Sequence, residues 1–223
     1  MTQQWEGLIQ KLVRNSILRS PKVIRALRQV PREPFLPENV KASAASDCPL
    51  PIGSGQTASA PHMVSIMNEA LELEVGHKVL EVGAGSGWHA ATIAEIVAPF
   101  DASKEGWGHV YTIERLAELA AFANENITKT GYGDRVTVIH QDGTLGYPEE
   151  APYDRILVAA AGPEVPKPLV EQLKNGGTLL VPVGRAQFYQ NLVRVRKNGG
   201  KTVEENLGGV AFVPLIGKHG FEP

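Results

Sequence analysis

Three glycines at every second position, Gly83, Gly85 and Gly87, follow the apolar run Val79, Leu80 and Val82, and helix-forming residues resume at Trp88. Glycine at a strand's carboxyl end lets the chain turn sharply and lets a ligand approach the backbone without Cβ atoms in the way. The helix that follows aims free N–H groups at the same spot. The chemistry this spacing predicts is a nucleotide-type cradle. A nicotinamide fingerprint, G-x-G-x-x-G, would need glycine at 83, 85 and 88, and position 88 is Trp88. A tight strand-to-helix turn without a ligand would use the same glycines, so the turn does not decide the matter by itself.

Further residues could serve such a cradle. Glu114 ends the predicted second strand (109–114), where an acid accepts hydrogen bonds from ribose hydroxyls. Its separation from the glycines exceeds the roughly 20 residues expected, and the excess lies in 99–108, which reads as a loop insertion. A third predicted strand (135–140) leads to Gln141-Asp142-Gly143. That Asp-Gly pair is either a plain turn or a site where Asp142 accepts the exocyclic amine of adenine and Gly143 leaves room for the ring. Ser59, ahead of Ala60-Pro61-His62, reads locally as an ordinary helix N-cap.

The elements that must position these residues alternate strand and helix. Trp5, Leu8, Ile9, Leu12 and Val13 recur at helical spacing, and Ser20-Pro21 starts a second helix carrying Val23, Ile24, Leu27 and Val30. Pro31, Pro34 and Pro37 end that segment and lead into an irregular stretch, 41–59, long enough to be a lid or binding loop. A helix with Met63, Val64, Met67, Ala70 and Leu71 on one face follows. After the glycine stretch come a helix (88–97), the 109–114 strand, a helix carrying Leu116, Leu119, Ala123 and Ile127, and the 135–140 strand. A fourth strand (156–159), a helix (166–173) stopped by Asn175-Gly176-Gly177, and a fifth strand (178–183) complete the alternation. Such alternation implies a mostly parallel, doubly wound sheet. Strands at 191–196 and 201–205 around Lys197-Asn198-Gly199-Gly200 read as a hairpin, hence an antiparallel C-terminal edge. The expected organisation is N-terminal helices and a covering loop (1–60), an α/β core (61–183) and C-terminal strands with a tail (184–223).

A chain of 223 residues, 43% hydrophobic, is sized for one α/β domain with a smaller appendage. A net charge of −2 gives no broad footprint for nucleic acid. No apolar run reaches bilayer-spanning length. One cysteine, Cys48, cannot form an internal disulfide, and the N-terminus lacks a secretory pattern, so a cytoplasmic protein is expected. No ligand spacing for a metal is evident among the histidines and Cys48, and His62, His89 and His140 read as structural.

The spacing G-x-G-x-G, preceded by Glu81 within the strand, is similar to the first motif of methyltransferases that use S-adenosylmethionine. Together with Gln56-Thr57-Ala58-Ser59-Ala60-Pro61-His62-Met63, Gln141-Asp142-Gly143, Glu150-Ala151-Pro152-Tyr153-Asp154 and Phe212-Val213-Pro214-Leu215, it resembles the protein-L-isoaspartate (D-aspartate) O-methyltransferase family over almost the whole chain. The resemblance implies a Rossmann-like methyltransferase fold and transfer of a methyl group from S-adenosylmethionine to the free carboxylate of L-isoaspartyl and D-aspartyl residues in damaged proteins and peptides. The ester then cyclises to a succinimide, which hydrolyses partly to aspartate. By the same resemblance Ser59 is catalytic. Thr57, Gly83, Ala84, Gly85, Gly87, Glu114, Asp142 and Gly143 hold the cofactor, and Ser59, Val213 and Leu215 meet the substrate. The tail 216–223 differs from animal members, which leaves its contacts with the cofactor open. A monomer is the simplest expectation.

Such chemistry suits these residues. A carboxylate of reference pKa about 3.9 is already ionised at neutral pH and needs no strong general base. The enzyme's task is to align donor and acceptor and to keep water out, and a hydroxyl such as Ser59 can orient one oxygen and leave the other free. A methyltransferase for another carboxylate or small molecule, or a non-enzymatic adenosine-binding module, would keep the cradle without needing Ser59 or 212–215. A nucleic-acid methyltransferase fits poorly: there is no Asn-Pro-Pro-Tyr-like motif, and Cys48 before Pro49 is a poor setting for a nucleophile on a flipped base.

Overall fold

The computed structural model describes residues 2–186 and 189–222. Thr2 caps α1 (Gln3–Arg14), its side chain accepting the Trp5 N–H, and Trp5, Leu8, Ile9 and Leu12 bury one face. Val13, assigned to that face by spacing, is 39% exposed. In α2 (Pro21–Gln29) the proline occupies the first turn as expected, but the Ser20 side chain makes no cap bond. The Glu69 carboxylate instead accepts the N–H groups of Arg19 and Ser20. The stretch expected to be irregular contains a hairpin, β1 (Leu50–Gly53) and β2 (Gln56–Ala58), in which Leu50 faces Ala58. Its turn residues Ser54 and Gly55 both have positive φ, the backbone twist that joins two strands through two residues.

Beyond the hairpin the expected alternation holds: α3 (Pro61–Leu71), β3 (Lys78–Val82), α4 (Trp88–Val97), β4 (His109–Glu114), α5 (Ala117–Lys129), β5 (Val136–His140), β6 (Tyr153–Val158), α6 (Lys167–Gln172), β7 (Leu173–Gly184), β8 (Gln190–Asn198) and β9 (Lys201–Val210). The sheet runs β5-β4-β3-β6-β7-β8-β9, with β8 and β9 added antiparallel at one edge. Several boundaries differ from expectation, and β6 starts at Tyr153, three residues before the expected 156–159. α6 stops at Gln172, and Asn175-Gly176-Gly177 lies inside β7, where the pairing with β6 slips between Leu173 and Thr178. The C-terminal hairpin is longer than its apolar alternation suggested, because β9 is mostly solvent-exposed and carries little hydrophobic signal.

Every residue of α4 is buried, and its polar side chains find partners there: His89 hydrogen-bonds to Asn68, Thr92 donates to the His89 carbonyl, and Glu95 accepts the Tyr132 hydroxyl. The helix packs against α2, α5 and β4. The N-terminal helices share one hydrophobic core with this layer: the Trp5 and Trp88 rings meet edge to face at 5.9 Å, and Leu12, Leu27, Val64, Ile93, Val110 and Leu180 belong to the same cluster. The inserted loop 99–108 sits at the amino ends of the parallel strands. Arg135, fully buried there, donates to the carbonyls of Ala98 and Gly131, and its guanidinium carbon lies 3.5 Å from the Phe100 ring centroid and 5.1 Å from that of Trp107. The glycine stretch is at the opposite, carboxyl ends. The insertion therefore lengthens the sequence between the glycines and Glu114 without touching their meeting place.

Candidate active site

The carboxyl ends of β3 and β4 build the first of two adjoining cavities. Gly83, Gly85 and Gly87 take φ values of 98°, 54° and 82°, the region that disfavours side chains. The Gly83 N–H donates to the Ile113 carbonyl at 2.8 Å, and the Gly85 N–H donates to Glu114 Oε2 at 3.0 Å. The other oxygen, Oε1, accepts the Leu116 N–H at 3.0 Å. Glu114 is thus no exposed strand-end acid: at 8% exposure it anchors the glycine loop and still lines the cavity. At Gly143 close approach is the constraint, since a Cβ there would lie 2.4 Å from Val82 Cγ1.

Asp142 and Gly143 part company. Gly143 lines the cavity, whereas Asp142 is not among the residues that line it. The Asp142 carboxylate accepts the Thr144 N–H and hydroxyl on Oδ1 and the Lys218 N–H on Oδ2, so it ties the C-terminal segment to the end of β5. Burial alone would raise its carboxyl, but the Lys218 and Thr144 donors outweigh burial and hold it below the usual range. Only the spare lone pair on Oδ2 remains for a further donor.

Beneath the glycines, Glu81 is fully buried, which pushes its carboxyl up to about 8 against the opposing hydrogen bond from Thr112 Oγ1 at 2.5 Å. His89 Nδ1 lies 3.8 Å from Glu81 Oε1, and burial pulls the His89 imidazole down to about 3. Both groups are neutral at pH 7, and their contact is a polar packing contact, not an ion pair.

Ser59 and Thr57 lie on the wall common to both cavities, together with Ala159 and Val213. The expectation that Ser59 caps α3 is corrected: Ala60 is the N-cap, and no side-chain cap bond is made. Ser59, half-buried, has no hydrogen-bond partner for its hydroxyl among the described residues, so that group is free for a ligand. The segment 213–215 is pinned beside the end of β6, where Ala161 N–H donates to the Val213 carbonyl and Leu215 N–H to the Ala161 carbonyl, each at 2.8 Å. Val213 faces both cavities, while Leu215, 4% exposed, lines only the first. Ala84 also lines the first, together with Ile113, Arg115 and Leu116, which the sequence reading passed over. Arg115 and Leu116 follow the strand-end acid directly, and that adjacency was the available signal.

The first cavity suits an adenosine compound: a backbone cradle at Gly83, Ala84 and Gly85, a strand-end carboxylate at Glu114, apolar Ile113 and Leu116 for a ring, and a Gly143 wall packed too closely on Val82 to admit a Cβ. Among the described residues no cluster of three or more His, Cys, Asp or Glu side chains could hold a metal, and no helix is long and apolar enough to cross a membrane. Sheet order, glycine loop and cavity define the class, a Rossmann-like methyltransferase that uses S-adenosylmethionine. The model of the family Protein-L-isoaspartate(D-aspartate) O-methyltransferase (PCMT) matches residues 3–220. The chain is 53% identical over 214 residues to the protein-L-isoaspartate O-methyltransferase of Hyperthermus butylicus, covering 96% of this chain and 89% of that one. It is 52% identical to that of Thermococcus sibiricus, covering 98% and 96%. In structure it is similar to a Plasmodium falciparum chain described as a protein-L-isoaspartate O-methyltransferase and crystallised with S-adenosyl-L-homocysteine, with a TM-score of 0.84 and 27% identity over 95% of this chain and 98% of that one. The chain belongs to the protein-L-isoaspartate (D-aspartate) O-methyltransferase family.

Proposed function

We propose that this chain methylates the free α-carboxylate of L-isoaspartyl residues, and the β-carboxylate of D-aspartyl residues, in damaged proteins and peptides. The observation that carries the reading is the shared wall: an uncapped Ser59 hydroxyl stands where a cofactor cradle meets a second cleft whose walls are almost entirely uncharged. Gly83, Ala84 and Gly85 cradle the cofactor, with Gly87 turning the chain into α4 against Ala123 and Ile127 behind them; Glu114 holds the ribose, Gly143 borders the adenine on a turn that Asp142 fixes, and Thr57 closes the side nearest the substrate. Bound S-adenosylmethionine supplies an electrophilic methyl group on a sulfonium. Ser59 donates a hydrogen bond from its hydroxyl to one oxygen of the substrate carboxylate and leaves the other free to attack. No proton is removed, so no general base is needed; orientation and exclusion of water carry the rate. The hairpin β1–β2 and residues 213–215 exclude that water from either side, with Val213 against the substrate and Leu215 bracing the segment. The free thiol of Cys48 supports a cytoplasmic setting, and the small net charge supports protein, not nucleic-acid, substrates.

Incubation with labelled S-adenosylmethionine and matched isoaspartyl and aspartyl peptides tests the reading. Label on the isoaspartyl peptide alone is expected. Equal labelling of both peptides, or none of either, would remove the repair function.

A further inference from the structure

We propose that His62, held by Asp47, receives the negative charge of the substrate carboxylate in the second cavity; the inference rests on the methyl-transfer reading above. Asp47 Oδ1 accepts the His62 backbone N–H and lies 2.9 Å from His62 Nδ1, so one carboxylate oxygen fixes both ends of the residue. With Nδ1 engaged, Nε2 is the ring's remaining polar atom, and it has no partner among the described residues. His62 lines the cavity that Ser59 also lines, and it is the one basic side chain among the described residues that line it.

The support beneath this pair is unusual. Arg32 is fully buried, and its guanidinium donates to the carbonyls of Ser46 and Cys48, on either side of Asp47, and to that of Ala58, next to Ser59. One buried cation therefore sets the loop that carries Asp47 and the strand end that carries Ser59 relative to each other. That is the preorganisation expected of groups meeting one ligand, and more than an idle loop needs.

The chemistry explains why the charge is an imidazole's. A carboxylate leaving water for an uncharged cleft needs a partner. Its charge then vanishes as the oxygen takes the methyl group, so a fixed Lys or Arg would stabilise the ground state more than the transition state. An imidazole donating through both nitrogens, to Asp47 and to the substrate, supplies a weaker, charge-balanced partner. The other charged or titratable groups about the pair are Arg32 beneath the loop, the Cys48 thiol next to Asp47, Lys11 beside Asp47 in the neighbouring depression, and Tyr189 on the cavity wall.

The test titrates the S-adenosylhomocysteine-saturated protein with an isoaspartyl peptide and with the same peptide bearing a carboxamide in place of the free carboxylate. The parent protein is expected to prefer the carboxylate by roughly tenfold or more, and His62→Gln to reduce that preference by roughly tenfold while affinity for the carboxamide peptide and the thermal midpoint hold. KM should rise more than kcat falls, and Asp47→Asn should move both in the same direction by less. Equal loss for the two peptides, or no change for either, assigns His62 a structural role and overturns the proposal. So does a parent protein with no preference, whatever the variants do. A parent protein that methylates the isoaspartyl peptide yet fails these comparisons loses only this inference; one that fails to methylate loses the reading on which it rests.

Discussion

The two adjoining cavities are made from different material. The first is a product of the sheet: strand ends, a glycine turn and a helix start, with contacts supplied largely by backbone and with Glu114 bonded twice to backbone N–H groups. The second is made from segments outside the sheet's parallel core, the β1–β2 hairpin, the start of α3 and residues 209–213. Its order depends on side chains reaching across the sequence, above all Arg32 and the Asp47–His62 pair. A cradle for a common cofactor can be generic because every member of the fold needs the same ligand. A cleft that must tell one damaged residue from its normal counterpart cannot be.

The sharpest way to separate the cavities is to deform the wall of the first. Gly143→Ala places a methyl group against Val82, and over-packing of this kind costs about 1–3 kcal/mol. Because Val82 lines the cavity and must shift, affinity for S-adenosylhomocysteine should fall by up to roughly a hundredfold by calorimetry, with the fold intact by circular dichroism. Unchanged affinity would show that the ring does not lie where Gly143 makes room.

Ser59→Ala addresses the shared wall. Because Ser59 is not the cap of α3, its loss should leave both thermal midpoint and cofactor affinity unaltered. Turnover on an isoaspartyl peptide should drop roughly ten- to a hundred-fold, the worth of a hydrogen bond to a charged group. Unchanged turnover in the folded variant would take Ser59 out of the reaction.

A smaller effect is expected of Glu114→Gln, which keeps one acceptor and turns an amide NH2 toward a backbone N–H. Cofactor affinity should weaken by roughly tenfold, and the glycine loop should exchange its amide protons faster. If the variant binds as tightly as the parent, the ribose contact is elsewhere.

The smallest effect concerns stability and pH. Glu81, raised to about 8 from an ordinary 4.5, binds more protons folded than unfolded between those values, so stability falls as pH rises through that window. His89, lowered to about 3 from 6.5, does the reverse: its contribution is complete above pH 6.5 and is lost as pH falls toward 3. The two slopes oppose each other between pH 4.5 and 6.5. Between pH 6.5 and 8 Glu81 acts alone, with at most about 2 kcal/mol of stability lost. The thermal midpoint should therefore drop by a few degrees across that interval, and Glu81→Gln should flatten the profile.

The first cavity was largely legible in the sequence, and the second was not. The glycine spacing, the α4 boundaries and the strand-end place of Glu114 follow from local rules of turn, propensity and period. The hairpin escaped because its strands are only four and three residues long and are broken by Pro51. Arg32 reads as one charge among prolines, and nothing local announces that it is buried or that its acceptors lie up to 26 positions away. Asp142 was placed at the right turn, but its bond to Lys218 spans 76 positions and could not be foreseen from either end. The resemblance to a family points to a catalytic Ser59 where local sequence offers a cap, and the fold explains why the cap reading fails: the helix starts one residue later.

The three tryptophans divide the molecule optically. Trp88 lines the first cavity and touches Trp5, whereas Trp107 sits with Phe100 and Arg135 at the far end of the sheet. Emission from the Trp5–Trp88 pair should respond when an adenosine compound enters, and emission from Trp107 should change only when the strand ends come apart. A Trp107→Phe protein would then report ligand entry without a constant background, and a Trp88→Phe protein would follow the unfolding of the sheet, so one chain carries separate optical reporters for occupancy and for integrity.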